Sequence, residues 1–393
     1  MKLTRKEVAA AIAAAGLLAW TGGALAQVQR VAYYGIGMEM SVASVVHWDA
    51  AAGRAKETDR LGVRSGSYTS DGNGGRVLTY DVPITTSVDQ SDRCGEWATL
   101  RDDQTQVIYR DLDQRPRTGK TIVGVVGTMT WVGGCDDGVS EPYATDGADR
   151  PRQRQSLSTP VDVSDLVAGT QLAGLSEEPD DRQLYPYGPP VDTVTFSGLP
   201  GTVRFERSER AYPAHLRQSG WVVMELPSGP RAYRRMATDA RNGREIWLMG
   251  DMQGNELKWV DQTNMVKPMA GASFGGEEGA ARTWRSSFHA NGLFGFTLFP
   301  DHTAKRCDKF PDSPSWICNP NVSWILDMDN VAITTVFPRY TRVRTWEPLA
   351  RYGNKQWVFE TEVYQNADGS TSPYFARRVN YYEDKGPSAP PSR

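Results

Sequence analysis

Apolar and polar residues alternate along most of this chain, and the clearest run lies near its C-terminus. Trp357, Phe359, Thr361 and Val363 share one face; Val358, Glu360, Glu362 and Tyr364 share the other. That period is the signature of a half-buried strand. Asn366-Ala367-Asp368-Gly369 supplies a turn and Tyr374 to Tyr382 a returning strand. A hairpin over 356–382 is therefore expected, closing a sheet, with Trp357 and Phe359 toward the core and Glu362 on the wetter face. Arg377 or Arg378 falls opposite Glu360, depending on register.

The same signals recur upstream. Val77 to Val82 follows the turn cluster Asp71-Gly72-Asn73-Gly74-Gly75. Thr121 to Trp131 is rich in Val, Ile and Thr, with Gly124 and Gly127 marking bulges or close backbone approach. Val191 to Phe196 and Thr202 to Phe205 flank a Gly/Pro turn, and Glu245 to Met249 and Glu256 to Val260 flank Gly254. Helix signals are few and short: Asp49 to Lys56, Ser164 to Leu172, and Gly276 to Trp284. The expected fold is mainly β, with two antiparallel β-sandwich or β-barrel domains and few short helices.

The N-terminus reads differently. Lys2, Arg5 and Lys6 precede an apolar run from Ala9 to Trp20, and Ala24-Leu25-Ala26 has the small-x-small pattern cut by signal peptidase. Residues 1–26 are expected to be a signal peptide, so the protein is periplasmic or secreted. No comparable apolar run follows, so no integral membrane segment is expected after cleavage. At 393 residues the chain is long for one core. The expected layout is a β-rich domain over 27–150, a polar, Pro-rich linker over 151–190, a β-rich domain over 191–385 that could close as a barrel, and a disordered tail over 386–393. The formal charge is −3, with acidic and basic residues interspersed. The absence of a basic stripe argues against nucleic acid as a partner.

Export changes how the cysteines read. Cys94, Cys135, Cys307 and Cys318 are even in number and lack a C-x-x-C pair. Disulfides are expected rather than a metal site, paired Cys94–Cys135 and Cys307–Cys318 by proximity. No metal and no cofactor is expected.

Catalytic patterns are weak. Gly271-Ala272-Ser273-Phe274-Gly275 matches the nucleophile elbow, with Asp301, Asp308, Asp327, His289 and His302 downstream. Pro268 breaks the strand that an elbow requires, and a chain with 38 glycines yields such matches readily. Arg117-Thr118-Gly119-Lys120-Thr121 lacks the first glycine of a phosphate loop, and Gly35-x-Gly37 lacks the third of a dinucleotide fingerprint. Asp327 with Asp329, and Asp136-Asp137-Gly138, fit turn chemistry as well as they fit calcium. Glu360 and Glu362 form a visible carboxylate pair, read here as a solvated sheet face. Trp48, Trp97, Trp131, Trp221, Trp247 and Trp259 among others suit either a core or a sugar-binding surface. The expected function is a non-enzymatic binding or structural protein, its partner unknown. One alternative is a secreted hydrolase using Ser273 or a carboxylate pair.

Phe294-Gly295-Phe296-Thr297-Leu298-Phe299-Pro300-Asp301-His302-Thr303-Ala304 resembles the strand–turn–strand of lipocalin-like barrels, with His302 where a glycine is expected. The resemblance covers those residues alone. It implies a second alternative, a carrier whose C-terminal barrel holds a saccharide or small apolar ligand.

Overall fold

A computed structural model describes residues 28–388, apart from 36–42, 71–73, 93, 114, 116–117, 148–150, 179–188, 218–219, 289–291, 310–314, 338–339 and 367. Residues 1–26, His289, the turn at 71–73 and residues 389–393 therefore lie outside it. The described chain is almost wholly antiparallel β. It forms three closed eight-stranded barrels rather than two domains.

The first barrel comprises β1 (Gln29–Tyr34), β2 (Ser44–Asp49), β3 (Arg54–Asp59), β4 (Gly62–Ser70), β5 (Gly75–Ser91), β6 (Trp97–Asp111), β7 (Thr118–Val132) and β9 (Arg152–Ser156). A short β8 (Ser140–Thr145) hangs on the free edge of β7. The second repeats this order: β10 (Gln171–Leu175), β11 (Asp192–Phe196), β12 (Gly201–Phe205), β13 (Ala211–Leu216), β14 (Val222–Leu226), β15 (Gly229–Asp239), β16 (Arg244–Gln253) and β18 (Asp261–Val266), with β17 (Glu256–Leu257) on β16. The third runs β19 (Arg282–Phe288), β20 (Gly292–Leu298), β21 (Thr303–Lys309), β22 (Ile317–Asp327), β23 (Asn330–Val336), β24 (Tyr340–Tyr352), β25 (Lys355–Asn366) and β26 (Thr371–Pro387).

The expected hairpins are present at β4–β5, β11–β12, β16–β17 and β25–β26. At the last, Gly369 adopts φ 83° and Asp368 Oδ1 accepts the Ser370 N–H, while Glu360 pairs with Arg378. Gly124 lets Thr145 cross closely, since a Cβ there would lie 2.3 Å from the Thr145 carbonyl oxygen. The β20–β21 turn holds His302 at φ 64°, which explains why a glycine is expected there. Of the helices, only Gly276–Ala280 (α1) forms. Asp49 instead caps a turn by accepting the Ala51 and Ala52 N–H groups, and the chain from Arg54 is β3. Likewise Asp162 takes the Ser164 N–H, and Gln171 begins β10. The stretch 151–190 contains both β9 and β10, and Gly386 and Pro387 belong to β26.

The barrels pack side by side through apolar outer faces. Ala32, Tyr34 and Val45 of the first meet Val223, Ala232, Ile246 and Leu248 of the second. Ala173, Val191 and Val266 of the second meet Leu349, Trp357, Phe359 and Val379 of the third. The Trp357 indole N–H donates to the Asn242 carbonyl across that seam. Thus Trp357 and Phe359 are buried, but against a neighbouring barrel and not in their own core.

Candidate functional site

Pairing decides what the third barrel encloses. The face opposite Trp357 and Phe359 points into the lumen and carries Val358, Glu360 and Glu362, all with no exposed surface. Glu360 and Glu362 are therefore not a solvated sheet face. Strand β24 contributes Arg342, Arg344 and Trp346 to the same interior, with Arg344 opposite Glu362 and Trp346 opposite Glu360. Strand β26 adds Arg378, Asn380 and Tyr382.

These groups form one network. Arg344 Nε donates to Glu362 Oε2 at 2.6 Å, and Nη2 reaches the same carboxylate. Arg344 Nε also lies 3.4 Å from Glu360 Oε1. Glu360 Oε2 accepts from Asn380 Nδ2 at 2.6 Å and from the Tyr382 hydroxyl at 2.7 Å; Oε1 accepts from Arg378 Nη2 at 3.1 Å. The Arg344 guanidinium lies over Phe294 and Phe296, at 5.4 and 5.3 Å from the ring centroids. Burial pushes the Glu360 carboxyl up, but the Arg344 and Arg378 charges and the two side-chain donors outweigh it and hold it near 2. The Tyr382 hydroxyl is pushed up, by burial and then by the Glu360 charge.

A pH dependence follows. A carboxyl depressed from 4.5 to about 2 stabilises the fold above its unfolded range, and that stability is lost as pH falls through the folded value. Acid should therefore weaken the third barrel between these limits, by roughly 3 kcal/mol for this group. Denaturation of Glu360→Gln and wild type across that range should show a flatter acid limb in the variant. Equal slopes would remove Glu360 from the acid response.

One end of the lumen is closed and apolar. Phe274, from the segment leading into α1, packs on Trp284 and Trp346 with ring centroids 5.5 and 6.3 Å away. Trp346 lies 4.0 Å from Tyr382, and Trp324 donates to the Phe299 carbonyl. Such filling is usual for an eight-stranded barrel. Trp48, Trp247, Trp284, Trp324, Trp346 and Trp357 are all fully buried, whereas Trp97 is 74% exposed.

The other two lumens also hold paired polar groups. In the first barrel the buried Glu57 accepts from the hydroxyls of Tyr80 and Tyr109, and Arg64 pairs with Asp59. In the second, Arg231 Nε donates to Asp251 Oδ1 at 2.8 Å and Trp259 donates to Oδ2 at 3.0 Å.

The remaining sequence candidates fall apart from one another. Ser273 lies in the loop between β18 and α1, where its Oγ accepts the Gly275 N–H at 3.1 Å. The strand before it is antiparallel to both neighbours and the helix after it has five residues, which is not an elbow's setting. Asp301 accepts from Thr303 within its turn, His302 packs on Trp324, and Asp308 pairs with Arg306. Thr118 to Thr121 begin β7 against β9. Asp327 closes the β22–β23 turn with Asn330, and Asp137 accepts the Gly133 N–H. Both disulfides form, Cys94–Cys135 and Cys307–Cys318, the second across directly paired residues of β21 and β22. Two disulfides fit an oxidising compartment. Among the described residues one group, Asp92, Cys94 and Cys135, has metal-ligand types within 4.8 Å. Its sulfurs are consumed by the disulfide, and Asp92 accepts the N–H groups of Cys94, Glu96 and Cys135. No helix among the described residues is long and apolar enough to cross a membrane.

No family model and no curated protein matches the chain. Among solved structures, a mutant of Aleuria aurantia lectin in complex with alpha-methyl-L-fucoside is 11% identical, over 92% of this chain and 97% of that one, with a TM-score of 0.11. Backbones that superpose so poorly carry no argument about fold or ligand.

Proposed function

We propose that this is an exported, non-enzymatic binding or scaffold protein, processed after Ala26 to begin at Gln27. The observation that carries the reading is the commitment of the lumenal charges. Glu360 and Glu362, the carboxylate pair available for hydrolysis, share Arg344 and have no exposed surface. A general acid or nucleophile must reach its substrate, and these groups are sealed behind their own ion pairs. Recognition then falls to barrel mouths, loops and outer faces. The carrier of a small apolar ligand is the weaker reading, because rings fill the apolar end of the third lumen.

Two measurements on exported protein test this. Intact mass should correspond to a chain starting at Gln27 with no free thiol. A fluorophosphonate probe should leave Ser273 unlabelled. A mature chain retaining Met1, or a covalent adduct at Ser273, would overturn the reading.

A further inference from the structure

We infer that the free edge of β5 beyond the first barrel receives an extended segment of a partner protein in which apolar and basic residues alternate. This deepens the binding reading above and rests on it. Strands β5, β6 and β7 have 17, 15 and 15 residues. Their counterparts in the second barrel, β14, β15 and β16, close the same strand order with 5, 11 and 10. The surplus, residues 84–104 and 127–145 with β8, is therefore an arm that closure does not require. Register shifts between Thr79 and Ile84 and between Gln104 and Gln106 set it off from the barrel wall. The Cys94–Cys135 disulfide ties its two tip turns together, and Asp92 accepts N–H groups from both, those of Glu96 and Cys135. An arm held in this way loses little entropy when a partner docks on it.

The two edges of the arm differ. On one side β8 is the last strand, six residues long with Glu141 and Pro142 in it, features that deter strand addition. On the other side β4 covers β5 only over Arg76–Tyr80, and from Ile84 to Ser91 the described pairing is with β6 alone. These eight residues hold neither proline nor lysine. Their outward N–H and C=O groups form the template that strand addition uses.

The side chains define what the added strand must carry. Val88, Leu100 and Trp131 stand in direct register across β5, β6 and β7 and so share one face, to which Ile84 and Ala98 also belong. Val88 is 54% exposed, and Leu100 and Trp131 are half-buried. The opposite face carries Thr85, Ser87 and Asp89 along the edge, with Asp103 opposite Thr85. Asp89 is exposed, and its partner among the described residues is the Thr99 hydroxyl. Over 84–104 and 127–145 the sequence has eight Asp or Glu against two Arg. A strand laid on this edge sends alternate residues to the two faces. Apolar residues extend the Val88–Leu100 stripe, and basic ones meet Asp89 and its acidic surroundings. A second copy of the chain does not complement this edge, because its own β5 brings Asp89 and no cation.

The test uses the mature, disulfide-bonded protein and labelled eight-residue peptides, one alternating Lys and Val and one alternating Glu and Val. A third, the Lys-Val peptide N-methylated at every residue, keeps the charge and cannot donate to the edge. Anisotropy titration measures binding, and hydrogen exchange locates it. The Lys-Val peptide should bind about tenfold or more tighter than either of the others, and it should slow exchange of amides within 84–91. Val88→Ser and Asp89→Lys, both at exposed positions, should each weaken it by about threefold or more. No binding, equal binding of the N-methylated peptide, unchanged affinity in the two variants, or slowed exchange at β8 instead of β5 overturns the proposal. So does a dimer in light scattering that Val88→Lys dissolves, because a second copy then holds the edge. A fluorophosphonate adduct at Ser273 would instead sink the non-enzymatic reading, so the two failures are distinguishable.

Discussion

Arg344→Met should be among the most damaging single changes in this protein, lowering stability by roughly 3–5 kcal/mol. The variant keeps most of the side-chain volume and the contact with Phe294 and Phe296, but it strands Glu360 and Glu362 in the lumen. Two carboxylates without their shared cation are far costlier than the intact pair is helpful. Guanidinium titration followed by tryptophan fluorescence measures the loss, since Trp284, Trp324 and Trp346 line that core. Adding Glu362→Gln to Arg344→Met should recover part of it. A loss below about 1 kcal/mol would mean that the network is solvated.

Trp357→Ala should cost on the order of 3–5 kcal/mol for a different reason. The indole is fully buried between the second and third barrels, lies tilted against Tyr381 with centroids 5.1 Å apart, and donates to the Asn242 carbonyl. Truncation leaves a cavity at the seam and an unpaired carbonyl. Scanning calorimetry should show the third barrel melting separately from its neighbour, with the lumenal tryptophans still protected at the lower transition of the seam. A single, unshifted transition would show that the seam does not couple the barrels.

These two expectations also mark where sequence reading succeeded and where it stopped. Strand alternation and turn chemistry located the β25–β26 hairpin, because both are local, and left Arg377 or Arg378 opposite Glu360; the register puts Arg378 there. Cysteine proximity found both disulfides for the same reason. Alternation could not say which face of β25 meets which core. A strand buried on both sides carries an apolar set toward a neighbour and a charged set inward, so Glu360 and Glu362 looked wet. The only trace of their burial in the sequence is the matching spacing of Arg342 and Arg344, one strand earlier. Three barrels looked like two domains because β9 and β10, the closing and opening strands of adjacent barrels, are five residues each and set in polar text. The tyrosine pair acting on Glu57 was equally hidden, since Tyr80 on β5 and Tyr109 on β6 stand 23 and 52 residues beyond Glu57 in the chain. The capping role of Asp92 had a local signal, an Asp two residues before a cysteine in a turn.

Each barrel is sealed by its first and last strands, and this sets the order of assembly. If the chain crosses a membrane N-terminus first, β1 must wait for β9, and β10 for β18, before either barrel can shut. Both cysteine pairs lie inside such intervals, so their oxidation can precede closure. The third barrel is the last to finish, because β19 stays an open edge until β26 has emerged. A chain released before Thr371 would carry two finished barrels and one unclosed sheet with bare hydrogen-bonding groups and its lumenal charges in water. Such an edge recruits other chains. Pairing of β26 with β19 therefore hides an edge that a chain lacking β26 would display to proteases.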